Sequence, residues 1–236
     1  MKRFEPRFQG RPWVSGTSVL HLYATPVPLV DTGLFTLAAA CRQAMEPYPV
    51  WPVPDDLIHI TVEMDAWARA EQITPAQRER LVNVLTRRLA EVEPGTVWCG
   101  SPIVNKAGVL LDTYPDEHLR RVQNVARAAL WEVHDSAALA HDGGRMHAQV
   151  GYAWDDSDSD PLQSTLRTIS PSHARMTVSH LHLLDVTWSE RPVPGGGTRW
   201  EMEWTPLAAI PLGGPRPTTP APGLPASHGQ GPSHRI

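Results

Sequence analysis

The chain has 236 residues, 41% of them hydrophobic, and a formal charge of −4. That length supports a substantial core in one large domain or two closely packed lobes, and the acidic balance excludes a global basic field for long duplex nucleic acid. With only Cys41 and Cys99, a disulfide framework or a clustered thiolate metal site is excluded, and both read as small reduced core residues.

Residues 1–17 read as an N-terminal extension, basic and aromatic in Met1 to Trp13 but without the continuous apolar stretch of a signal peptide. Nowhere do about 18 apolar residues run together, so a cytoplasmic protein with no membrane partner is expected. Residues 18–212 carry the periodic patterns of a folded domain. From residue 213 to Ile236 the chain is rich in proline and glycine, too poor in aliphatic residues to offset its ordering entropy, and is expected to be disordered. That sets His228 and His234 aside.

Ser18 to Thr25 has strand character, and Asp31 or Thr32 can cap a helix with Leu34, Leu37, Ala38, Cys41 and Met45 on one face. After a proline-rich turn comes the strand Leu57 to Met64. Its period of two places Leu57, His59, Thr61 and Glu63 on one face and Ile58, Ile60, Val62 and Met64 on the other.

Thr74-Pro75-Ala76-Gln77 is a capping box with proline at the first helical position, opening a helix that buries Leu81, Val84, Leu85 and Leu89. Val97 to Val104 and Ala107 to Thr113 pair around an Asn105-Lys106 turn. Pro115-Asp116-Glu117 then starts a helix that ends before His141. Asp142-Gly143-Gly144 turns into a second histidine strand, on which Arg145, His147 and Gln149 share a face. Asp155 to Asp160 reads as an acidic loop, and Pro192 to Gly197 as a hairpin connection between the strands Met176 to Trp188 and Thr198 to Thr205.

The order strand, helix, histidine strand thus occurs twice. His59 follows Leu20 by 39 positions (59 − 20), and His147 follows Leu110 by 37 (147 − 110), which suggests a duplicated unit. The expected class is α+β: two pseudo-symmetric lobes with antiparallel or mixed sheets around a central cleft, helices outside, and both histidines facing one groove.

On these residues the chain resembles the two-histidine (2H) phosphoesterase superfamily, which includes bacterial 2'-5' RNA ligase-like proteins and cyclic phosphodiesterases. That family carries His-x-Thr/Ser-x twice, each on a strand after a helix. His59-Ile60-Thr61-Val62 matches in full, whereas His147-Ala148-Gln149-Val150 has Gln149 where a hydroxyl residue is expected.

The resemblance implies His59 and His147 as catalytic residues and a substrate that is an RNA end or small cyclic-phosphate nucleotide, with no metal, cofactor or obligate protein partner. Opening a 2',3'-cyclic phosphate requires a water to lose a proton and a ribose oxygen to gain one, and two imidazoles on opposite sides supply both. Thr61, and Gln149 through its amide, would donate to phosphate oxygens. Arg145 is a further candidate for pairing with them.

Other readings remain open from sequence. His134, His141, His147, His173, His180 and His182 are dense enough for an imidazole zinc site, although no His-Glu-x-x-His pattern is present. His180-Leu181-His182 also alternates as a strand and competes for the role of second motif. Loss of the second hydroxyl at Gln149 allows a binding module that kept the cleft without turnover. The tryptophans could stack on bases, but core packing is the commoner use of such residues and none is assigned.

Overall fold

Alternation along the two histidine strands builds the centre of one sheet, as seen in a computed structural model that describes residues 1–140 and 144–213. The sheet elements are β3 (Thr17–Ala24), β4 (Val50–Pro52), β5 (Ile60–Met64), β6 (Gly95–Asn105), β7 (Gly108–Tyr114), β8 (His147–Ala153), β9 (His173–Val178), β10 (His180–Pro192) and β11 (Thr198–Pro211). A small hairpin, β1 (Arg7–Phe8) and β2 (Arg11–Pro12), precedes them. The helices are α1 (Thr32–Met45), α2 (Pro75–Leu89), α3 (Asp116–His134) and α4 (Asp160–Leu166).

The strand order is β11-β10-β3-β5-β8-β7-β6-β9, with β4 also on β8, and every pairing is antiparallel. Halfway along, β5 meets β8 through Ile60↔Ala148. The fold is therefore the expected α+β sheet, curled around a cleft, and its two halves join between the histidine strands. The helices are exchanged across this joint: α1 of the first half packs on β8, and α3 of the second packs on β5. Each helix thus backs a strand beside the other half's histidine: His147 opens β8, and His59 immediately precedes β5.

The duplication is visible residue by residue in the register. β3 pairs Tyr23 with Thr61 and Leu22 with Glu63, leaving Val62 as an extra residue. β7 pairs Leu110 with Gln149 and Val109 with Gly151, leaving Val150 as the counterpart. Both strands therefore bulge three residues after their histidine. The equivalent of Leu110 in the first half is Tyr23, not Leu20.

The bulge corrects one expectation. An unbroken period of two puts Glu63 on the His59 face, but the extra residue at Val62 reverses the alternation. Glu63 instead pairs with Arg127 of α3, and Met64 shares a face with His21. A second correction concerns the strand expected over Met176 to Trp188, which is two strands broken at Ser179. β9 pairs with β6 at one edge of the sheet, whereas β10 pairs with β3 in the other half. One apolar run serves both because both environments are half-buried.

The capping box is present, with Thr74 Oγ1 accepting from Gln77 N at 3.3 Å and Gln77 Oε1 accepting from Thr74 N at 2.9 Å. Asp31 is at the N-cap of α1 but caps nothing with its side chain. Its carboxylate instead accepts from Val27 N and from the backbone N and hydroxyl of Thr177, tying the helix start to β9. The acidic stretch ending at Asp160 leads into the short helix α4, with Pro161 in its first turn.

Cys41 and Cys99 are buried and free, and burial pushes both thiols up to about 12. Apart from Gly213, whose N–H donates to Leu89 O, the expected disordered tail lies outside the described residues, as do His141, Asp142 and Gly143. Among the described residues no helix is long and apolar enough to cross a membrane.

Candidate active site

Antiparallel pairing at Ile60↔Ala148 sets His59 opposite Gln149 and Thr61 opposite His147. All four side chains then project from one face, with the two histidines on a diagonal of the ladder, roughly 7–8 Å apart by Cα. The two imidazoles are held alike. His59 Nδ1 lies 2.8 Å from Leu57 O, and His147 Nδ1 lies 2.8 Å from Arg145 O, the carbonyl two residues earlier in each case. A proton on Nδ1 satisfies that carbonyl and leaves Nε2 as the working nitrogen.

The surroundings of the two rings differ. His59 is 2% exposed, with the Tyr23 ring stacked on it at 3.8 Å and Trp204 edge-on at 5.5 Å. Burial drives its pKa down to about 4; the Leu57 carbonyl opposes this, and the charge of His147 adds to it. His147 is half-buried. It lines a cavity of about 520 Å³ together with Thr61, Gln149 and Arg145. His59 lies behind Tyr23 and is not part of the cavity wall.

The remaining candidates are engaged. Gln149 Nε2 donates to Gly151 O at 2.6 Å, spending one amide hydrogen on the backbone just past the bulge. Arg145 is shared between Asp112 Oδ1 and Asp116 Oδ1, each at 3.1 Å, and also donates to Thr113 O. Thr61 sits opposite Tyr23 on β3, and the Tyr23 hydroxyl donates to Met202 Sδ at 3.8 Å.

Among the described residues the competing histidines disperse, His141 lying outside them. His134 is buried with Nδ1 on Asp65 Oδ2 at 2.7 Å, and Trp67 is stacked on its ring. His173 and His180 bond the adjacent Ser172 and Ser179. His182 pairs with Tyr23 across β3 but is absent from the cavity wall. Among the described residues no three potential metal ligands cluster.

Tyr23 and Trp204 were not found from sequence. The signal for Tyr23 was its alternation with His21 on β3, whereas Trp204 arrives on a strand far along the chain.

No protein-family model matches the sequence, and no curated protein matches it either. Solved structures do. TT0787 of Thermus thermophilus superposes with a TM-score of 0.55 at 16% identity, over 83% of this chain and 98% of that one. Apo LigT of E. coli gives 0.53 at 14% identity, over 84% and 99%. A structure described as a phosphoesterase gives 0.52 at 13% identity, over 83% and 98%. The chain has the fold of the LigT-like phosphoesterases, across nearly the whole of each of these proteins.

Proposed function

We propose that this protein is a metal-independent phosphoesterase of the two-histidine superfamily, acting on a 2',3'-cyclic phosphate at an RNA end or on a small nucleotide, or on a 2'-5' linked end. The carrying observation is the ladder pair Ile60↔Ala148, which sets His59, Thr61, His147 and Gln149 on one face. E. coli LigT has been solved with phosphate and with 3'-AMP, and ligands of that class suit a cavity of about 520 Å³.

In this reading the Tyr23 ring moves off His59, which burial keeps neutral in the resting protein, and His59 Nε2 takes the proton of an attacking water. The water oxygen bonds to phosphorus as the bond to one ribose oxygen breaks, and His147 Nε2 donates the proton that this oxygen acquires. Thr61 donates to a non-bridging oxygen, where charge develops in the transition state. Gln149 donates with its remaining amide hydrogen. Arg145, clasped by Asp112 and Asp116, serves better to fix the carbonyl that orients His147 than to grip phosphate. In the reverse direction the imidazoles exchange roles.

A second reading rests on the burial of His59 and the engagement of Gln149: a module that binds a nucleotide or RNA end without turning it over. The discriminating experiment follows a short oligoribonucleotide ending in 2',3'-cyclic phosphate, incubated with the protein in excess chelator. A linear 2'- or 3'-phosphate product supports the enzyme. Saturable binding without product supports the module.

A further inference from the structure

The first residues of the chain lie across the cleft. Phe4 N donates to Ala153 O, and the Phe4 ring packs against Tyr152 at 4.4 Å and Trp188 at 5.0 Å. Further on, the β1–β2 hairpin turns at Gln9 and Gly10, both with positive φ. Gln9 Nε2 reaches over to Ala66 O at 2.8 Å, beyond the end of β5. Trp13 is buried beside His21, with ring centroids 6.4 Å apart. The segment is thus pinned on both sides of the cleft. Phe4, Glu5, Arg7 and Gln9 form part of the same cavity wall as Thr61, His147 and Gln149.

The charges along this wall are unevenly committed. Glu63 is neutralised by Arg127, and Arg145 by Asp112 and Asp116. Glu5 and Arg7 stand exposed at the rim. Arg7 donates to Gly10 O at 3.1 Å and makes no ion pair among the described residues. Of the two arginines in the wall, Arg7 is the one with donors to offer an anion.

Resting on the phosphoesterase reading, we propose that Phe4–Trp13 is the specificity element of the cleft. It closes the groove into a pocket for one terminal nucleotide, and its Arg7 binds an anionic group of that nucleotide. A guanidinium at the rim suits a phosphate outside the reacting centre. A polynucleotide can then present only its end, and a cyclic mononucleotide that also carries a 5'-phosphate is the better substrate.

The test compares adenosine 5'-phosphate 2',3'-cyclic phosphate, whose 5'-phosphate lies outside the reacting centre, with a short oligoribonucleotide ending in 2',3'-cyclic phosphate, using wild type, Arg7→Ala, Arg7→Lys and Phe4→Ala. Thermal unfolding establishes that each variant is folded. Arg7→Ala raises KM for the mononucleotide about tenfold, the effect of one charge-assisted hydrogen bond, and changes kcat by less than about twofold; Arg7→Lys falls between. Phe4→Ala, which loosens the segment, moves the kcat/KM ratio toward the oligonucleotide by about tenfold.

An unchanged KM and an unchanged ratio overturn the proposal while leaving the phosphoesterase reading intact. If neither substrate is turned over, that reading fails, and calorimetric binding of adenosine 3',5'-bisphosphate decides the proposal. Affinity about tenfold weaker in Arg7→Ala than in wild type supports it. Equal affinity contradicts it.

Discussion

Tyr23 lies flat on His59, with ring centroids 3.8 Å apart and 15° between the planes. Stacked aromatic cover on one side and Trp204 on another take the imidazole out of water, and the cost of charging it there lowers its pKa to about 4. This selects the neutral form as the native one.

A stability prediction follows from that depression. Between about pH 6.5 and pH 4 the unfolded chain holds a proton on this histidine that the native state does not, so stability rises with pH across the window. The contribution is complete above pH 6.5 and is lost as pH falls toward 4, by about 3 kcal/mol in all. Denaturant titrations of wild type and His59→Gln at a series of pH values should show the steeper acid loss in wild type.

Gln149→Thr restores the hydroxyl of the second motif and removes the bond to Gly151 O. The value of kcat/KM on a cyclic phosphate is expected to be preserved or to rise, up to about tenfold. The midpoint of thermal unfolding should fall by roughly 2–4 °C, the effect of about 1 kcal/mol in a chain of this size.

Arg127→Ala removes the guanidinium from the Glu63 carboxylate, whose side chain is 1% exposed and keeps the bond it accepts from Met64 N. Removing one partner of a buried pair costs more than removing both, so destabilisation of roughly 3 kcal/mol is expected in urea titrations. The double change Glu63→Leu with Arg127→Met should recover most of it.

Gly108 has φ +154°, and a Cβ there would meet Gly151 O at 2.0 Å. Gly108→Ala should therefore cost roughly 2–4 kcal/mol and shift the β7–β8 ladder that seats Gln149. Amide exchange in β8 would report the shift as loss of protection around Gln149 and Val150.

Much of this arrangement was legible along the chain. His59-Ile60-Thr61-Val62 and the helix before it are local patterns, and the capping box at Thr74 is satisfied within four residues. What escaped was register. The bulge at Val62 exists because β3 pairs with β5 in a particular phase, and no period within β5 alone contains that information. The same is true of Ser179, where one apolar run serves two separate strand partners. Tyr23 and Trp204 meet at His59 only because β10 bridges β3 and β11. Met1 to Trp13 read as a basic and aromatic extension, and its place over the cleft follows from Phe4 docking on Tyr152 and Trp188.

The most direct measurement is single-turnover opening of a 2',3'-cyclic phosphate by wild type, His59→Ala, His147→Ala and the double variant. Paired-imidazole chemistry predicts that each single change lowers the rate by roughly 10²–10⁴-fold, and that the double change lowers it little further. Turnover surviving in both single variants would contradict the assignment of His59 and His147.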